Sequence, residues 1–244
     1  VDDLLKLATR SAIAGSKAIL NTPHSSVQRK KDDSPVTAAD INSHHAIVEV
    51  LQSTKIPIVS EEGSIIRPDA GPYWLVDPLD GTREYIKGRE HYTVNVNLME
   101  DDIPTLGVIA IPEKSTVYFG DGSSSWMTSF NLEENTKLTR QDPEEFTVAV
   151  SQSHLRGRTL SFAEEMVPDG QQIQTIRAGS AVKFCMLLDG RATVYPRFAP
   201  CMEWDIAAGH VLLKGIGRNI IDLSTGFEML YGKPEWLNGP FVAR

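Results

Sequence analysis

Asp77 and Asp80 stand in the run Asp77-Pro78-Leu79-Asp80-Gly81-Thr82, directly after the apolar stretch Tyr73-Trp74-Leu75-Val76. No basic residue separates them. Two close carboxylates repel unless something positive lies between them. A hard, oxygen-preferring dication such as Mg²⁺ is the economical partner, commonly together with a phosphate. Pro78 fixes its own φ and biases Asp77 toward an extended conformation, so a buried strand delivers both acids at a proline-controlled turn. Gly81 permits a tight turn, and the residues after it can start a helix. The N–H groups near Gly81, Thr82 and Arg83 then face an anion. An ordinary Asp-rich turn is the competing reading of the bare pattern.

Further acids stand at expected element ends. Glu61 and Glu62 follow the short apolar strand Ile56 to Val59. Asp205 follows Trp204 where a helix begins, and a helix N-cap is its alternative role. Asp40 lies three residues after Thr37, and the pair can close a capping box. Each acid alone has a structural explanation; together they suggest a metal cluster with an anion cradle. His44 and His45 diverge by ~100° on a helix and are expected to be structural. Arg83, Lys87 and Arg89 either add positive field near the site or solvate a helix. Cys185 and Cys201 are too few for a disulfide framework or a cysteine zinc site, and are expected as buried thiols.

The elements that position these residues follow from periodicity. Leu4, Leu7, Ala8, Ala12 and Ala18 predict an N-terminal amphipathic helix. Lys30 to Pro35 is a polar loop. A second helix starts after Thr37, with Ile41, His45, Val48 and Leu51 near one face. Strands are expected at Tyr73 to Val76, His91 to Met99 and Thr105 to Ile111, then a hairpin around Gly120 to Ser125. The charged region Asn131 to Glu145 closes a first unit, giving domains 1–140 and 141–244. The second unit alternates: strand Phe146 to Ser151, helix near Arg156 to Met166, strand near Gln174 to Arg177, helix Ala181 to Leu188, strand Ala192 to Pro196, helix Ile206 to Lys214, strand Asn219 to Asp222. That alternation predicts an α/β fold.

With 244 residues, the chain has room for one large or two small domains. Its 41% hydrophobic and 23% charged residues fit a soluble globular protein. A net charge of −8 disfavours a coat for nucleic acid polymers, but leaves room for a small phosphorylated substrate held by local cations or metals. No apolar run reaches the ~18 residues that span a bilayer, and charges interrupt residues 1–20 where a signal peptide would lie.

Four stretches carry a resemblance. They are Ser34-Pro35-Val36-Thr37-Ala38-Ala39-Asp40, Ser60-Glu61-Glu62, Trp74-Leu75-Val76-Asp77-Pro78-Leu79-Asp80-Gly81-Thr82, and Glu203-Trp204-Asp205-Ile206-Ala207-Ala208-Gly209. In this order, over nearly the whole chain, they resemble the magnesium-dependent, lithium-sensitive phosphatases of the inositol monophosphatase superfamily. Gly81-Thr82-Arg83-Glu84-Tyr85-Ile86, Gly179-Ser180-Ala181-Val182-Lys183-Phe184-Cys185 and Tyr195-Pro196-Arg197-Phe198 are similar to the 3'(2'),5'-bisphosphate nucleotidases within it. Inositol phosphatases more often have Asn where Glu84 stands. Ala181 replaces a common Ser, and Phe198-Ala199-Pro200-Cys201 replaces a more usual Phe-Gly-Pro-Thr.

The resemblance implies a layered αβαβα sandwich of the inositol-monophosphatase and fructose-bisphosphatase kind. It has an N-terminal metal-binding lobe and a C-terminal substrate-binding lobe. It implies two or three Mg²⁺ ions. Glu61, Asp77 and the Leu79 carbonyl would hold the first; Asp77 would bridge to a second, completed by Asp80 and Asp205. Glu61 is favoured over Glu62 by resemblance alone. Thr82 and Asp40 would orient and activate the attacking water. Gly81 and Thr82 N–H groups would grip the scissile phosphate. Lys183 and Arg197 would contact the other phosphate or the nucleotide, with Ser153, His154, Ser180 and Asp205 also near the substrate. The implied reaction is hydrolysis of the 3'-phosphate of adenosine 3',5'-bisphosphate to AMP, with the phosphosulfate analogue as a second substrate, in sulfur assimilation. The implied location is cytoplasmic, with room for peripheral association at the inner membrane. The rival readings are an inositol or sugar phosphatase on the same scaffold and an inactive phospholigand-binding protein. The latter is expected to lack one of the metal acids, all of which are present.

Overall fold

In a computed structural model, which describes residues 2–23, 27–29, 35–151 and 158–244, six α-helices appear among the described residues. They are α1 (Asp2–Leu20), α2 (Ala38–Leu51), α3 (Thr82–Ile86), α4 (Arg158–Met166), α5 (Val182–Leu188) and α6 (Glu203–Lys214). Helix α1 buries Leu5, Ala8, Ala12 and Ile19, whereas Leu4, Leu7 and Ala18, expected on that face, are only half-buried. It packs on α2. Gly15 makes that approach possible, since a Cβ there would lie 2.7 Å from the Ser43 hydroxyl. Helix α2 accordingly buries Ala39, Ser43, Ile47 and Leu51, while Ile41 and His45 are exposed, contrary to expectation. The buried face of α2 thus combines the large Ile47 and Leu51 with the small Ala39 and Ser43, and Gly15 of α1 leaves the room that Ser43 and Ile47 fill.

The main sheet has seven strands in the order Ile58–Ser60, Tyr73–Asp80, Thr93–Glu100, Ile103–Ile111, Thr116–Gly120, Ser125–Ser129 and Thr136–Lys137. The first pair is parallel and the others antiparallel. The last strand lies in the charged stretch expected to close the first unit. One face, carrying Trp74, Val76, Val94, Val96, Val108 and Ala110, packs against α1 and α2. The other face carries α6. Gly107 permits the close approach: a Cβ there would sit 2.8 Å from the Ala208 carbonyl oxygen.

Beyond α5 and α6 lies a second set of strands. Thr147–Ser151 runs parallel to Gln174–Ala178, and Phe241–Ala243 pairs antiparallel with both Tyr195–Arg197 and Ile220–Asp222. A parallel bridge between Val148 and Val194 joins the two groups. Ala163 of α4 packs on Val148, Val150, Val194 and Val242 from outside. The result is a helix, sheet, helix, sheet, helix stack with a mixed central sheet. The elements from Thr147 to Asp222 follow the expected alternation, with helix α4 beginning at Arg158 among the described residues, whereas the strands Cys201–Met202, Leu237–Asn238 and Phe241–Ala243 were not expected. No helix among these residues is long and apolar enough to cross a membrane.

Candidate metal and phosphate site

The strand Tyr73–Asp80 does not end at Val76; it continues through the acidic run. Asp77 pairs with Asn95 and Asp80 with Thr93, leaving one extra residue between the acids. Such a bulge re-aims side chains and tolerates a proline that has no N–H to give. It brings Asp77 and Asp80 together with Asp205 of α6: one carboxylate oxygen from each lies within 4.8 Å of the others. Asp77 Oδ1 accepts the Leu79 N–H at 3.1 Å, Asp80 Oδ2 the Ala181 N–H at 2.7 Å, and Asp205 Oδ2 the Met202 N–H at 3.0 Å. Met202 is the N-cap of α6 and Asp205 its third helical residue, so the expected N-cap assignment shifts by three. Asp205 closes the helix start with one oxygen and joins the cluster as well.

Burial and the neighbouring acids Glu61, Asp80 and Asp205 push the Asp77 carboxyl well above its usual range. Burial also raises Asp80, against the opposing charges of Lys183 and Arg197. Burial, then Asp80, push Asp205 up to about 7. Glu61, and not Glu62, is among the charges that raise Asp77 and Asp205. Its backbone N–H is tied to the Val76 carbonyl at 3.2 Å, one residue before Asp77. The donor set is therefore all carboxylate oxygen, with Asp77 buried and Glu61, Asp80 and Asp205 half-buried. That chemistry fits a hard divalent cation and not a soft metal.

Beside the cluster, Thr82 donates its hydroxyl to Asp40 Oδ1 at 2.9 Å and lies 3.3 Å from the Leu79 carbonyl oxygen. Thr37 is the N-cap of α2, and the capping box with Asp40 is present. Ser43 of the same helix donates to the Pro78 carbonyl at 2.7 Å, docking α2 on the bulge. Gly81, at φ +99°, precedes α3; a Cβ there would lie 3.1 Å from the His91 carbonyl and 3.2 Å from Ser180 Cβ. Only glycine suits both the backbone and the space.

The second half meets this turn through Gly179, Ser180 and Ala181. Ser180 has φ +47° and a buried hydroxyl without a hydrogen-bond partner, a strained residue at the site. Lys183 is 2% exposed, and its ammonium donates to the Ser180 carbonyl at 2.6 Å, with its charge also acting on Asp80. Burial and the Arg197 charge lower its pKa to about 8. Arg197 is half-buried and donates to the Ala199 and Pro200 carbonyls at 3.2 and 3.1 Å. It lines a groove of about 270 Å³ with Val150, Arg158, Tyr195 and Phe198. Ser153 and His154 lie outside the described residues. His44 contacts the Ser60 hydroxyl at 2.9 Å, while His45 is exposed. Arg89 pairs with Glu84 at 3.0 Å, and Arg83 and Lys87 are exposed. Both cysteines are free and buried.

The sequence profile of the inositol monophosphatase family matches residues 1–240. The chain belongs to that family. Its relatives include the 3'(2'),5'-bisphosphate nucleotidase CysQ of Salmonella typhimurium, 38% identical over 80% of this chain and 78% of the relative. The CysQ of Escherichia coli K12 is 34% identical over 91% and 90%. Among solved structures, CysQ of Bacteroides thetaiotaomicron superposes with a TM-score of 0.86 at 31% identity, covering 99% of this chain and 97% of that one. The family and these relatives make the chain an enzyme, a phosphatase.

In this member of the inositol monophosphatase family, two site residues escaped the sequence reading. Asn95 places Nδ2 3.5 Å from Asp80 Oδ2. Thr93, Asn95 and Asn97 alternate with valines, a pattern that reads as a solvent face, yet all three are fully buried. Glu203 begins α6 and is also fully buried, with Arg67 at 3.2 Å. A carboxylate flanked by Met202 and Trp204 was the available signal.

Proposed function

We propose that the chain is a Mg²⁺-dependent nucleotidase that removes the 3'-phosphate of adenosine 3',5'-bisphosphate, giving AMP and phosphate. The phosphosulfate analogue is its second substrate in the same reading. One observation carries most of the weight: Arg197 lines the groove, and its charge also acts on Asp80 and Asp205. A single cation thus adjoins both the acid cluster and a cleft close to ordinary small-ligand size, ~300 Å³ and upward. The names of the relatives supply the substrate class.

In this reading Glu61, Asp77, the Leu79 carbonyl, Asp80 and Asp205 hold the metals. Mg²⁺ bound there supplies charge that offsets the phosphate's and acidifies water. The chain's own groups do the rest. Gly81 and Thr82 N–H groups hold the scissile phosphate. Water attacks phosphorus as its proton passes to Thr82 Oγ1, which gives its own proton to Asp40 Oδ1. The phosphorus–O3' bond breaks, and the 3'-oxygen takes a proton from solvent. Arg197 binds the phosphate that stays. Ser180, Ser153 and His154 are assigned to the nucleoside side. Residues 1–140 form the metal-binding part, to which Asp205 alone is added from the second half, and residues 141–244 the part that binds the rest of the substrate beyond the scissile phosphate. Phosphorus NMR of the reaction tests this: a 5'-monophosphate and free phosphate are expected, and a 3'-monophosphate product would reject the assignment.

A further inference from the structure

Glu203 and Asp205 occupy the first and third positions of α6. Side chains two apart on a helix leave it in nearly opposite directions, at ~200°. Asp205 joins the acid cluster; Glu203 turns to the other side and is fully buried. There it meets Arg67, whose Nη2 lies 3.2 Å from Glu203 Oε2, and the Lys233 N–H, which donates to Oε1 at 2.9 Å. Arg67 lies at the end of the segment that begins with Glu61. Its Nε is 3.3 Å from Asp102 Oδ1, and its guanidinium stacks 3.9 Å above the Trp236 ring. The Trp236 indole donates to the Ile65 carbonyl at 3.1 Å, and the Trp236 carbonyl accepts the Glu203 N–H at 2.8 Å.

The segment carrying Glu61 is therefore held at two ends. At one end Glu61 bonds to the strand of Asp77; at the other Arg67 bonds to the helix of Asp205. Most residues between them are exposed. We propose that Arg67 and Glu203 are positioning residues that together set the spacing between Glu61 and Asp205 and the rotation of α6 about its axis. The pair acts through the chain on both sides of the metal cluster without touching it. This inference rests on the reading of Glu61 and Asp205 as metal-holding residues. Removing one partner alone would strand a buried charge and alter the field at the metal. Removing both leaves net charge unchanged but takes Arg67 from Asp102 and the Glu203 carboxylate from the Lys233 ammonium 3.9 Å away, so the Arg67→Lys variant, which keeps every charge, isolates the geometry.

The test is calorimetric titration of Mg²⁺, without substrate, into wild type, Arg67→Met/Glu203→Gln and Arg67→Lys. Arg67 is partly exposed, so the lysine variant keeps the charge in a site that can accept it. The double variant is expected to bind Mg²⁺ about tenfold more weakly, the low end of the effect of outer partners on metal affinity. The lysine variant should weaken it by a smaller factor, because it loses the fork that reaches Glu203 and Asp102 together. The KM for nucleotide at saturating Mg²⁺ should stay within about twofold. If wild type binds Mg²⁺ and the folded variants bind it equally well, the positioning role is overturned while the metal site stands. Should the double variant not fold, the lysine variant decides by the same criterion. If wild type itself binds no Mg²⁺, the underlying site reading fails first.

Discussion

Thr82 donates its hydroxyl to Asp40 across 42 residues, at 2.9 Å, while the other oxygen of Asp40 accepts the Thr37 N–H at 2.8 Å and hydroxyl at 2.6 Å. One carboxylate therefore starts a helix and faces the candidate site. The cap fixes the rotamer of Asp40, which leaves Oδ1 aimed at Thr82. Thr82→Val should lower kcat by roughly a hundredfold to ten-thousandfold, the range for loss of acid–base assistance. Thr82→Ser keeps the hydroxyl and should recover most of the rate. Equal loss in both variants would show that shape, and not the hydroxyl, matters.

Asp80→Asn should remove most Mg²⁺-dependent turnover with the fold intact by circular dichroism. In the metal-free protein it should also raise Tm, because the desolvation cost of the Asp80 carboxylate goes first, and with it the repulsion it exerts on Asp77 and Asp205. Near-normal activity at limiting Mg²⁺ would take Asp80 out of the site.

The acid cluster predicts a pH dependence for metal-free protein. Burial first, and then Asp80, push Asp205 from its ordinary 3.8 up to about 7. Between those values the folded state binds more protons than the unfolded one, so this group lowers stability as pH rises. The loss begins near pH 4 and is complete above about 7. Thermal melts in chelator, wild type against Asp205→Asn, isolate the effect. The wild type should lose Tm relative to the variant across that window, and saturating Mg²⁺ should reverse the loss. A difference that is flat or grows in favour of wild type would contradict the clustering.

Arg197→Ala should lower kcat/KM on adenosine 3',5'-bisphosphate by about ten- to a hundredfold, the worth of one charged hydrogen bond. The loss on 3'-AMP, which has no second phosphate, should be much smaller. Equal losses would assign Arg197 to the reacting phosphate or to the fold.

Lithium should inhibit turnover when titrated at subsaturating Mg²⁺, with sodium as the control. An unchanged rate across that titration would separate this chain from the lithium-sensitive phosphatases its motifs resemble.

Much of the site was legible because its signals are local. Asp77, Asp80, Gly81 and Thr82 lie in one short run, and the Thr37–Asp40 spacing announces its own cap. Glu61 could not be separated from Glu62, since the distinction depends on which one faces Asp77 across the strand pair. The burial of Lys183 was not legible, because sequence does not report that its ammonium is turned onto the Ser180 carbonyl beside Asp80. The Arg67–Glu203 pair joins residues 136 apart, which no local pattern encodes. As far as Asp222 the main strands and helices of the second half followed from periodicity, but the short strands Cys201–Met202, Leu237–Asn238 and Phe241–Ala243 did not, being only two or three residues long. Nor did the buried faces of α1 and α2, because the close approach of Gly15 to Ser43 and Ile47 is a contact between helices that periodicity within one helix does not encode.

The most direct measurement compares phosphate release from adenosine 3',5'-bisphosphate and inositol 1-phosphate, side by side, at saturating Mg²⁺ and again in chelator. The account predicts a kcat/KM at least about a hundredfold higher for the bisphosphate, as expected where a site is built to pair a group the other substrate lacks. It also predicts no release from either substrate in chelator. Equal or greater efficiency on inositol 1-phosphate would contradict the nucleotidase assignment, and undiminished release in chelator would contradict the metal site.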